Sequence, residues 1–200
     1  MKDVSGGTIR DQTGHFDGIW RNPDAAEWIV TNDAGVISFT GGSTASYIEL
    51  PAGLLDGLSD LTVSALVNWS GNLPVEWLYA LGRPNTETHY LYFTPRYNAD
   101  SSARFGLATS GWRNEVSARS STLPSKQWKL VTTVLDSTNE TLRLYIDGIL
   151  AGSSGTNGIT LEQIRAMSGP SGYIARSFYS ADPYFGGMIA DFRIYDGALT

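Results

Sequence analysis

The stretch LTVSALVNW, residues Leu61–Trp69, alternates between two kinds of side chain with a period of two. An extended strand points successive side chains to opposite faces, so one face of this stretch carries Leu61, Val63, Ala65, Val67 and Trp69. The other face is polar apart from Leu66. The pattern predicts a strand with one face in an apolar core and the other toward solvent.

Similar segments follow in both directions along the chain. QWKLVTTVLD (127–136) and TLRLYIDG (141–148) are joined by the polar STNE, which predicts a hairpin. Further strands are predicted at 35–39, 46–50, 77–82, 89–94, 104–109 and 187–195. We expect the first strand to pair near the last. Helical signals are limited to single turns at 51–58 and 160–167, the second with a Thr160–Gln163 capping box. The sequence therefore predicts an all-β fold.

Composition excludes several classes of protein. The 200 residues carry a net charge of −6 and no cluster of Lys or Arg, so we do not expect nucleic-acid binding. No apolar run approaches the length of a membrane span, so membrane insertion is not predicted. Cysteine is absent, which removes thiol catalysis and thiolate metal sites. A chain of this length fits one domain, 1–200, and we expect it to be a module of a larger protein.

Several segments together resemble the laminin-G-like branch of the concanavalin A-like lectin/glucanase superfamily. They are IRDQTGHFDGIW (9–20), ISFTGGSTASYIELP (37–51), LTVSALVNW (61–69), LPSKQWKLVTTVLD (123–136), LRLYIDGILAGS (142–153) and GYIARSFYSADPYFGGMIADFRIYDGALT (172–200). The resemblance implies a jelly-roll sandwich of two antiparallel β-sheets. Bacterial modules of this kind are commonly attached to secreted glycoside hydrolases, where they bind carbohydrate. It therefore implies a secreted or cell-surface bacterial protein whose neighbouring domains include an enzyme.

Catalysis by this chain itself is not predicted. Glycoside hydrolysis needs two carboxylates across the scissile bond, and glucanases of this fold carry acidic residues alternating on one strand. No strand here shows that alternation. The two histidines, His15 and His89, do not lie beside a nucleophile in the sequence.

Sugar binding is predicted where aromatic and planar polar side chains occur together in loops, because sugar rings stack on aromatic faces and hydroxyls pair with Arg and Asp. Three segments offer this mixture, and their candidate ligand-binding residues are Tyr90, Tyr92, Trp112, Arg113, Arg176, Tyr179, Asp182 and Tyr184. Structural alternatives stay open: Trp112 folded over the edge of the sandwich, or Arg176 paired with Asp182 or Asp191. Trp69, Trp128 and Phe192 are assigned to the core.

Calcium is predicted from the resemblance, as a structural ion where the first and last strands meet. Asp191 matches the aspartate of the last strand, Gly41 matches the glycine loop, and Asp11 is an additional candidate ligand. The alternative is that Asp191 pairs with Arg193.

The preferred interpretation is a non-catalytic carbohydrate-binding module that holds a polysaccharide or oligosaccharide. The first alternative is an adhesion or structural module that binds protein or a neighbouring domain. The second is a glycosidase or lyase on the same fold.

Overall fold

The computed structural model describes residues 4–5, 7–31, 34–44, 46–84 and 86–199. Within these ranges two antiparallel sheets of nine and seven strands pack face to face. The predicted all-β, two-sheet jelly-roll sandwich is therefore confirmed.

The strands, in chain order, are β1 Val4–Ser5, β2 Thr8–Ile9, β3 Gly18–Arg21, β4 Ala26–Thr31, β5 Ala34–Phe39, β6 Tyr47–Leu50, β7 Leu61–Trp69, β8 Tyr79–Gly82, β9 Tyr90–Thr94, β10 Ala103–Ala108, β11 Val116–Ser120, β12 Trp128–Asp136, β13 Thr141–Ile146, β14 Ile149–Gly155, β15 Gly172–Ile174 and β16 Gly187–Asp196. One turn of α-helix, α1, spans Leu161–Ile164, and 3-10 turns span Pro23–Ala25 and Trp112–Asn114. The nine-stranded sheet has the order β1-β2-β3-β6-β15-β8-β9-β10-β11, and the seven-stranded sheet has the order β14-β13-β12-β7-β16-β5-β4.

Strand β7 lies near the middle of the seven-stranded sheet, between β12 and β16. Its five alternating apolar residues are all buried in the main core, as predicted. The hairpin of β12 and β13 also forms as predicted, with Asp136 opposite Thr141. The expected pairing of the first and last predicted strands is confirmed, because β16 pairs with β5, the strand predicted at 35–39, as well as with β7. The short strands β1, β2 and β3, which were not predicted, lie at one edge of the other sheet.

Trp128 differs from its predicted position in the core, since 42% of it is exposed. Its neighbour Leu130, two residues along β12, is exposed as well, whereas Val131 and Leu135 are buried. Trp128 therefore lies on the outer face of β12. The sequence did not show this, because β12 carries apolar residues on both faces. Phe192 packs against the core and is partly buried.

The short helix α1 begins at the predicted capping box. The Thr160 backbone N–H donates to Gln163 Oε1 at 3.0 Å, and the Thr160 side chain accepts from the backbone at position 163. The predicted helical turn at 51–58 is a series of turns instead. Among the described residues, no helix has the length and apolarity needed to cross a bilayer.

A second aromatic layer covers the outer face of the nine-stranded sheet. Period two in β9 sends Leu91 and Phe93 into the main core, while Tyr90 and Tyr92 point to the opposite side. The tyrosines pack there with the residues that we call the outer aromatic cluster: Trp77, Tyr90, Tyr92, Tyr173 and Phe178, with Tyr47 and Tyr179 at its border. The outer face of the nine-stranded sheet therefore carries a second, smaller hydrophobic cluster that is separate from the main core.

The backbones of the two sheets come close together at Gly152 of β14. A side-chain carbon there would lie 2.2 Å from the backbone oxygen of Arg119 in β11, so the backbones cannot stay in place. We expect Gly152→Ala to lower the free energy of unfolding by about 1–3 kcal/mol, measured by urea denaturation. Gly155→Ala in the same strand is the control, because its new carbon would have only ordinary contacts from 3.8 Å outward. Equal effects of the two changes would contradict the close approach.

Candidate functional site

A cavity of about 300 Å³ opens on the outer face beside the outer aromatic cluster. We call it the acidic aromatic cavity, because its walls combine six aromatic rings with two carboxylates and only two other residues. Its lining consists of Val75, Trp77, Tyr90, Tyr92, Tyr97, Asn98, Trp112, Glu115, Tyr179 and Asp182. The residues come from β9 and from four separate loops, so only the folded chain assembles it.

The floor of the cavity is a stacked aromatic pair. The rings of Trp77 and Tyr92 lie 3.9 Å apart between centroids at an angle of 21°. Gly106 of β10 lies opposite Tyr92 in the sheet, and a side-chain carbon on it would come within 2.3 Å of the Tyr92 ring and 2.9 Å of the Glu115 carboxyl carbon. Because Gly106 has no side chain, the Tyr92 ring and the Glu115 carboxyl group can pack directly against the sheet.

Glu115 is the buried acid of the cavity. Its two carboxylate oxygens accept hydrogen bonds from the hydroxyls of Tyr92 at 3.0 Å and Tyr90 at 3.3 Å. Burial raises the pKa of Glu115 to about 7, although these hydrogen bonds and Arg104 act in the opposite direction. Burial and the neighbouring carboxylate also raise the tyrosine pKa values, so the phenols remain donors at neutral pH.

Arg104 lies behind Glu115 and is held by other partners. Its guanidinium donates to Asp100 at 2.6 Å and stacks 3.5 Å above the centroid of the Tyr97 ring, while its nearest nitrogen lies 3.9 Å from Glu115. Because Asp100 takes the short ion pair, Arg104 compensates the charge of Glu115 only in part. When Glu115 is ionised, its carboxylate is therefore a hydrogen-bond acceptor surrounded by aromatic walls.

The rim of the cavity is formed by two of the segments predicted to bind sugar, the loop that carries Trp112 and the loop that carries Tyr179. Tyr179 connects the two loops. Its hydroxyl accepts a hydrogen bond from the Trp112 backbone N–H at 3.1 Å and lies 3.2 Å from the Tyr90 hydroxyl. The Trp112 ring is 57% exposed, which excludes the alternative that it is folded away. The Arg113 guanidinium lies 5.2 Å from the centroid of that ring. Trp112 therefore presents an indole face at the mouth of the cavity.

Asp182 is held by its own loop on the other side of the mouth. Its carboxylate accepts from the Ser177 hydroxyl at 2.7 Å, and its backbone N–H donates to the Tyr179 carbonyl at 3.2 Å. Burial raises the pKa of Asp182 to about 6, and the negative charge of Glu87 adds to the shift. Asp182 and Tyr179 also line a smaller adjoining cavity of about 100 Å³ together with Arg176 and Tyr184.

The structure thus places seven of the eight sequence-predicted ligand residues at two adjoining cavities, and the eighth, Arg113, lines neither and lies beside the Trp112 ring. Trp112, Tyr179 and Asp182 have accessible surface at the first, and Arg176 and Tyr184 lie at the second. Tyr90 and Tyr92 have the predicted face of the strand but are fully covered, since Trp77 and Tyr179 pack over them. Their contribution is to hold Glu115, whereas the sequence had suggested direct stacking.

Five lining residues of the acidic aromatic cavity were not predicted: Val75, Trp77, Tyr97, Asn98 and Glu115. The signal available for Glu115 was indirect. Gly106 interrupts an apolar strand, and a glycine in a strand often marks the close approach of another group. Nothing local in the sequence pairs Gly106 with a carboxylate nine residues later.

The groups named for calcium are engaged elsewhere in the structure. Asp191 forms an ion pair with Arg193 at 2.8 Å, as in the alternative interpretation. The Gly41 carbonyl accepts from the Thr44 backbone, and the Asp11 carboxylate accepts from the backbone of His15 and Phe16 in its own loop. In the described portion of the chain, no three acidic or histidine side chains are grouped to hold a metal. Calcium therefore stays a prediction from the resemblance.

Comparisons with known proteins connect this architecture to carbohydrate-binding domains. Domain 4 of AbnA, a GH43 extracellular arabinanase from Geobacillus stearothermophilus solved with arabinotriose, superposes with a TM-score of 0.72 and 23% identity, covering 96% of this chain and 88% of that one. The CBM40 of the Ruminococcus gnavus IT-sialidase bound to α2,3-sialyllactose has a TM-score of 0.63 and 12% identity, covering 82% and 91%. At these identities the likeness shows the fold alone.

One curated protein is similar in sequence. It is an alpha-L-arabinofuranosidase from Bifidobacterium longum subsp. longum, 28% identical over 110 residues. The match spans 54% of this chain and 10% of that enzyme's length. The profile of the Laminin_G_3 family, described as the concanavalin A-like lectin/glucanases superfamily, matches residues 41–200. The chain therefore belongs to the Laminin_G_3 family of the concanavalin A-like superfamily, and the resemblance seen in the sequence is confirmed.

Proposed function

We propose that this chain is a non-catalytic module of a secreted bacterial glycoside hydrolase and that it binds an arabinose-containing oligosaccharide in the acidic aromatic cavity. The observation that carries the proposal is the position of Trp112 beside Glu115 and Asp182. An exposed indole accepts the C–H face of a sugar ring, while carboxylates accept its hydroxyl protons. A neutral sugar supplies both kinds of contact.

The choice of arabinose is supported by two of the similar proteins. The arabinanase domain was solved with arabinotriose, and the arabinofuranosidase acts on arabinofuranosides by its name. Both are enzymes of which a domain like this chain forms only a part. A cavity of about 300 Å³ is at the small end of ligand sites, which suits one or two sugar units.

Replacing Trp112 with alanine tests the site. We expect at least a tenfold loss of affinity for arabinotriose by isothermal titration calorimetry, since truncating a stacked aromatic at a binding surface commonly costs about 1.4 kcal/mol or more. The melting temperature should hardly change, because the ring is 57% exposed. Trp128→Ala, an exposed tryptophan on the other sheet, is the matched control and should bind like the wild type.

Two outcomes would overturn parts of the proposal. If Trp112→Ala binds arabinotriose as tightly as the wild type, the acidic aromatic cavity is not the site. If the wild type binds no arabinose oligosaccharide but responds to another glycan, the ligand assignment fails and the module function stands.

A second candidate function, glycoside hydrolysis, is favoured by one observation: Glu115 and Asp182 line the same cavity and have raised pKa values. Two features speak against it. Glu115 has both oxygens bonded to tyrosine hydroxyls, and the charge that raises the pKa of Asp182 is that of Glu87. Reducing ends released from arabinan and lost in Glu115→Gln would establish hydrolysis, whereas none released would support the non-catalytic module.

A further inference from the structure

The smaller cavity contains a cation with unused hydrogen-bonding capacity. The Arg176 guanidinium carbon lies 4.5 Å from the centroid of the Tyr173 ring, 4.6 Å from that of Tyr47 and 6.0 Å from that of Tyr184. We call these four residues the arginine shelf. Within the described ranges Arg176 forms no ion pair and donates no hydrogen bond, so neither sequence alternative, Asp182 or Asp191, is its partner.

The shelf holds the guanidinium in place without consuming its donors. Stacking over aromatic faces fixes the plane of an arginine side chain, and the five N–H groups stay directed outward from that plane. The three tyrosines pack on one another, with Tyr47 and Tyr173 at 5.2 Å edge to face and Tyr47 and Tyr184 at 6.0 Å. Their hydroxyls also lack hydrogen-bond partners in the described part of the protein. The surface therefore offers donors in excess.

The backbone directs Arg176 to this place at some cost. Ala175, the residue before it, has a φ of 67°, a left-handed conformation that a residue with a side chain adopts rarely. Hydrogen bonds from the Ala175 N–H to the Leu78 carbonyl and from the Phe185 N–H to the Ala175 carbonyl hold that conformation. Strained backbone of this kind is kept where surrounding contacts over-determine it, and it concentrates at ligand sites.

We propose that the arginine shelf is a carboxylate subsite, and that the module prefers an oligosaccharide in which a carboxylate-bearing sugar adjoins the unit held in the acidic aromatic cavity. A carboxylate supplies the acceptor oxygens and the negative charge that the shelf lacks, and a guanidinium binds it through two parallel hydrogen bonds. The two cavities share Tyr179 and Asp182, so one short glycan reaches both. This inference rests on the proposed function and refines its ligand.

Asp182 faces the same small cavity, but its charge is directed elsewhere. Its carboxylate accepts from Ser177 within its own loop. It thus separates the two subsites: a sugar hydroxyl on one side meets an acceptor, and a carboxylate on the other meets Arg176. Along the surface, the acceptor Glu115 lies in the larger cavity, the shared residues Tyr179 and Asp182 come next, and the donor Arg176 lies in the smaller cavity.

The test compares pairs of probes that differ in charge. Digalacturonate is compared with its methyl ester, and 3'-sialyllactose with lactose, so that the two arms distinguish a uronic acid from a sialic acid as the source of the carboxylate. We expect the wild type to bind the acid of at least one pair about tenfold more tightly than its neutral partner, the scale of a charge-assisted hydrogen bond. The preference should shrink in 0.5 M salt, because added salt screens an accessible ion pair.

Arg176→Gln is expected to abolish that preference and leave binding of neutral arabinotriose unchanged within about twofold. Arg176→Lys keeps the charge and the stem that packs on the tyrosines, and should retain only part of the preference because it loses the planar fork. Arg193→Gln, which removes the same charge from β16 in the other sheet, is the control. Melting temperatures show whether each variant is folded.

The outcomes separate this inference from the proposed function. Acids that bind no more tightly than their neutral partners, or a preference that persists in Arg176→Gln, would overturn the carboxylate subsite even if arabinotriose binds. Absence of arabinotriose binding with an Arg176-dependent preference for acids would overturn the arabinose assignment and retain the subsite.

Discussion

Trp69→Ala is expected to lower the free energy of unfolding by about 3–5 kcal/mol, the range for removing a buried tryptophan. The ring at the end of β7 is 1% exposed and belongs to the main core between the sheets. Its Nε1–H donates to the buried Glu76 carboxylate, and the Arg96 guanidinium lies 5.5 Å from its centroid. Alanine leaves a cavity and also leaves Glu76 without that donor, so both costs add in the same direction.

The measurement is urea unfolding followed by circular dichroism, with Trp112→Ala as the matched control. Both variants lose an indole, but Trp112 is 57% exposed and its loss should change the free energy by less than about 0.5 kcal/mol. Trp69→Phe keeps most of the volume and removes only the N–H donor, so it should fall between the two. Similar losses for Trp69→Ala and Trp112→Ala would show that the assignment of core and surface is wrong.

The second large effect is a fall in stability as the pH rises from about 5 to about 7.5. Burial raises the pKa of Glu76 to about 7, that of Glu115 to about 7 and that of Asp182 to about 6. In the unfolded chain these groups titrate near 4.5 or below. Between the two sets of values the folded protein holds protons that the unfolded chain has released. The free energy of unfolding therefore decreases with rising pH across this interval.

Acids with lowered pKa values act in the opposite sense and at lower pH. A hydrogen bond from the Asn139 side chain lowers the pKa of Asp136, and one from Lys129 lowers that of Asp147. Their contribution is present above the unfolded pKa and is lost as the pH falls through the folded value. The two groups of acids together place maximal stability near pH 5.

Urea midpoints between pH 4 and pH 8 measure the profile. Glu115→Gln removes one of the buried titrations and should flatten the slope between pH 5 and pH 7.5. Glu162→Gln is the control. Glu162 is exposed, and its hydrogen bond with Arg165 lowers the pKa of the Glu162 carboxyl. A wild-type protein that becomes more stable from pH 5 to pH 7 would refute the burial of these carboxyl groups.

Much of the fold was predictable because strand patterning is local. The alternation in Leu61–Trp69 predicted β7 and its buried face, and the polar STNE turn predicted the hairpin of β12 and β13. The predictions failed where both faces of a strand are apolar or where a strand is very short. Trp128 was placed on the wrong face of β12, and the short strands β1, β2 and β3 were not predicted.

The candidate site was predictable only in part. Trp112, Tyr179 and Asp182 were found because aromatic and planar polar residues in glycine-containing loops are an unusual combination. Glu115 was missed, although its neighbour Trp112 was singled out, because a lone glutamate in a loop is ordinarily exposed. Arg176 was identified as a ligand residue from the mixture of aromatic and charged residues in its segment. Its contacts with three tyrosines could not be predicted, because Tyr47, Tyr173 and Tyr184 are not adjacent to one another in the sequence.

The amino-acid sequence by itself determined an all-β, cysteine-free sandwich and the loops that carry aromatic and charged residues, since period two and turn chemistry depend on neighbours along the chain. Only the tertiary structure decided which of these residues meet. Gly106 admits Tyr92 and Glu115 to the surface of the sheet, and Ala175 turns Arg176 onto its tyrosines. The physical reason is that burial, and with it charge state and hydrogen-bonding capacity, is set by sheet order and register between residues far apart in the chain.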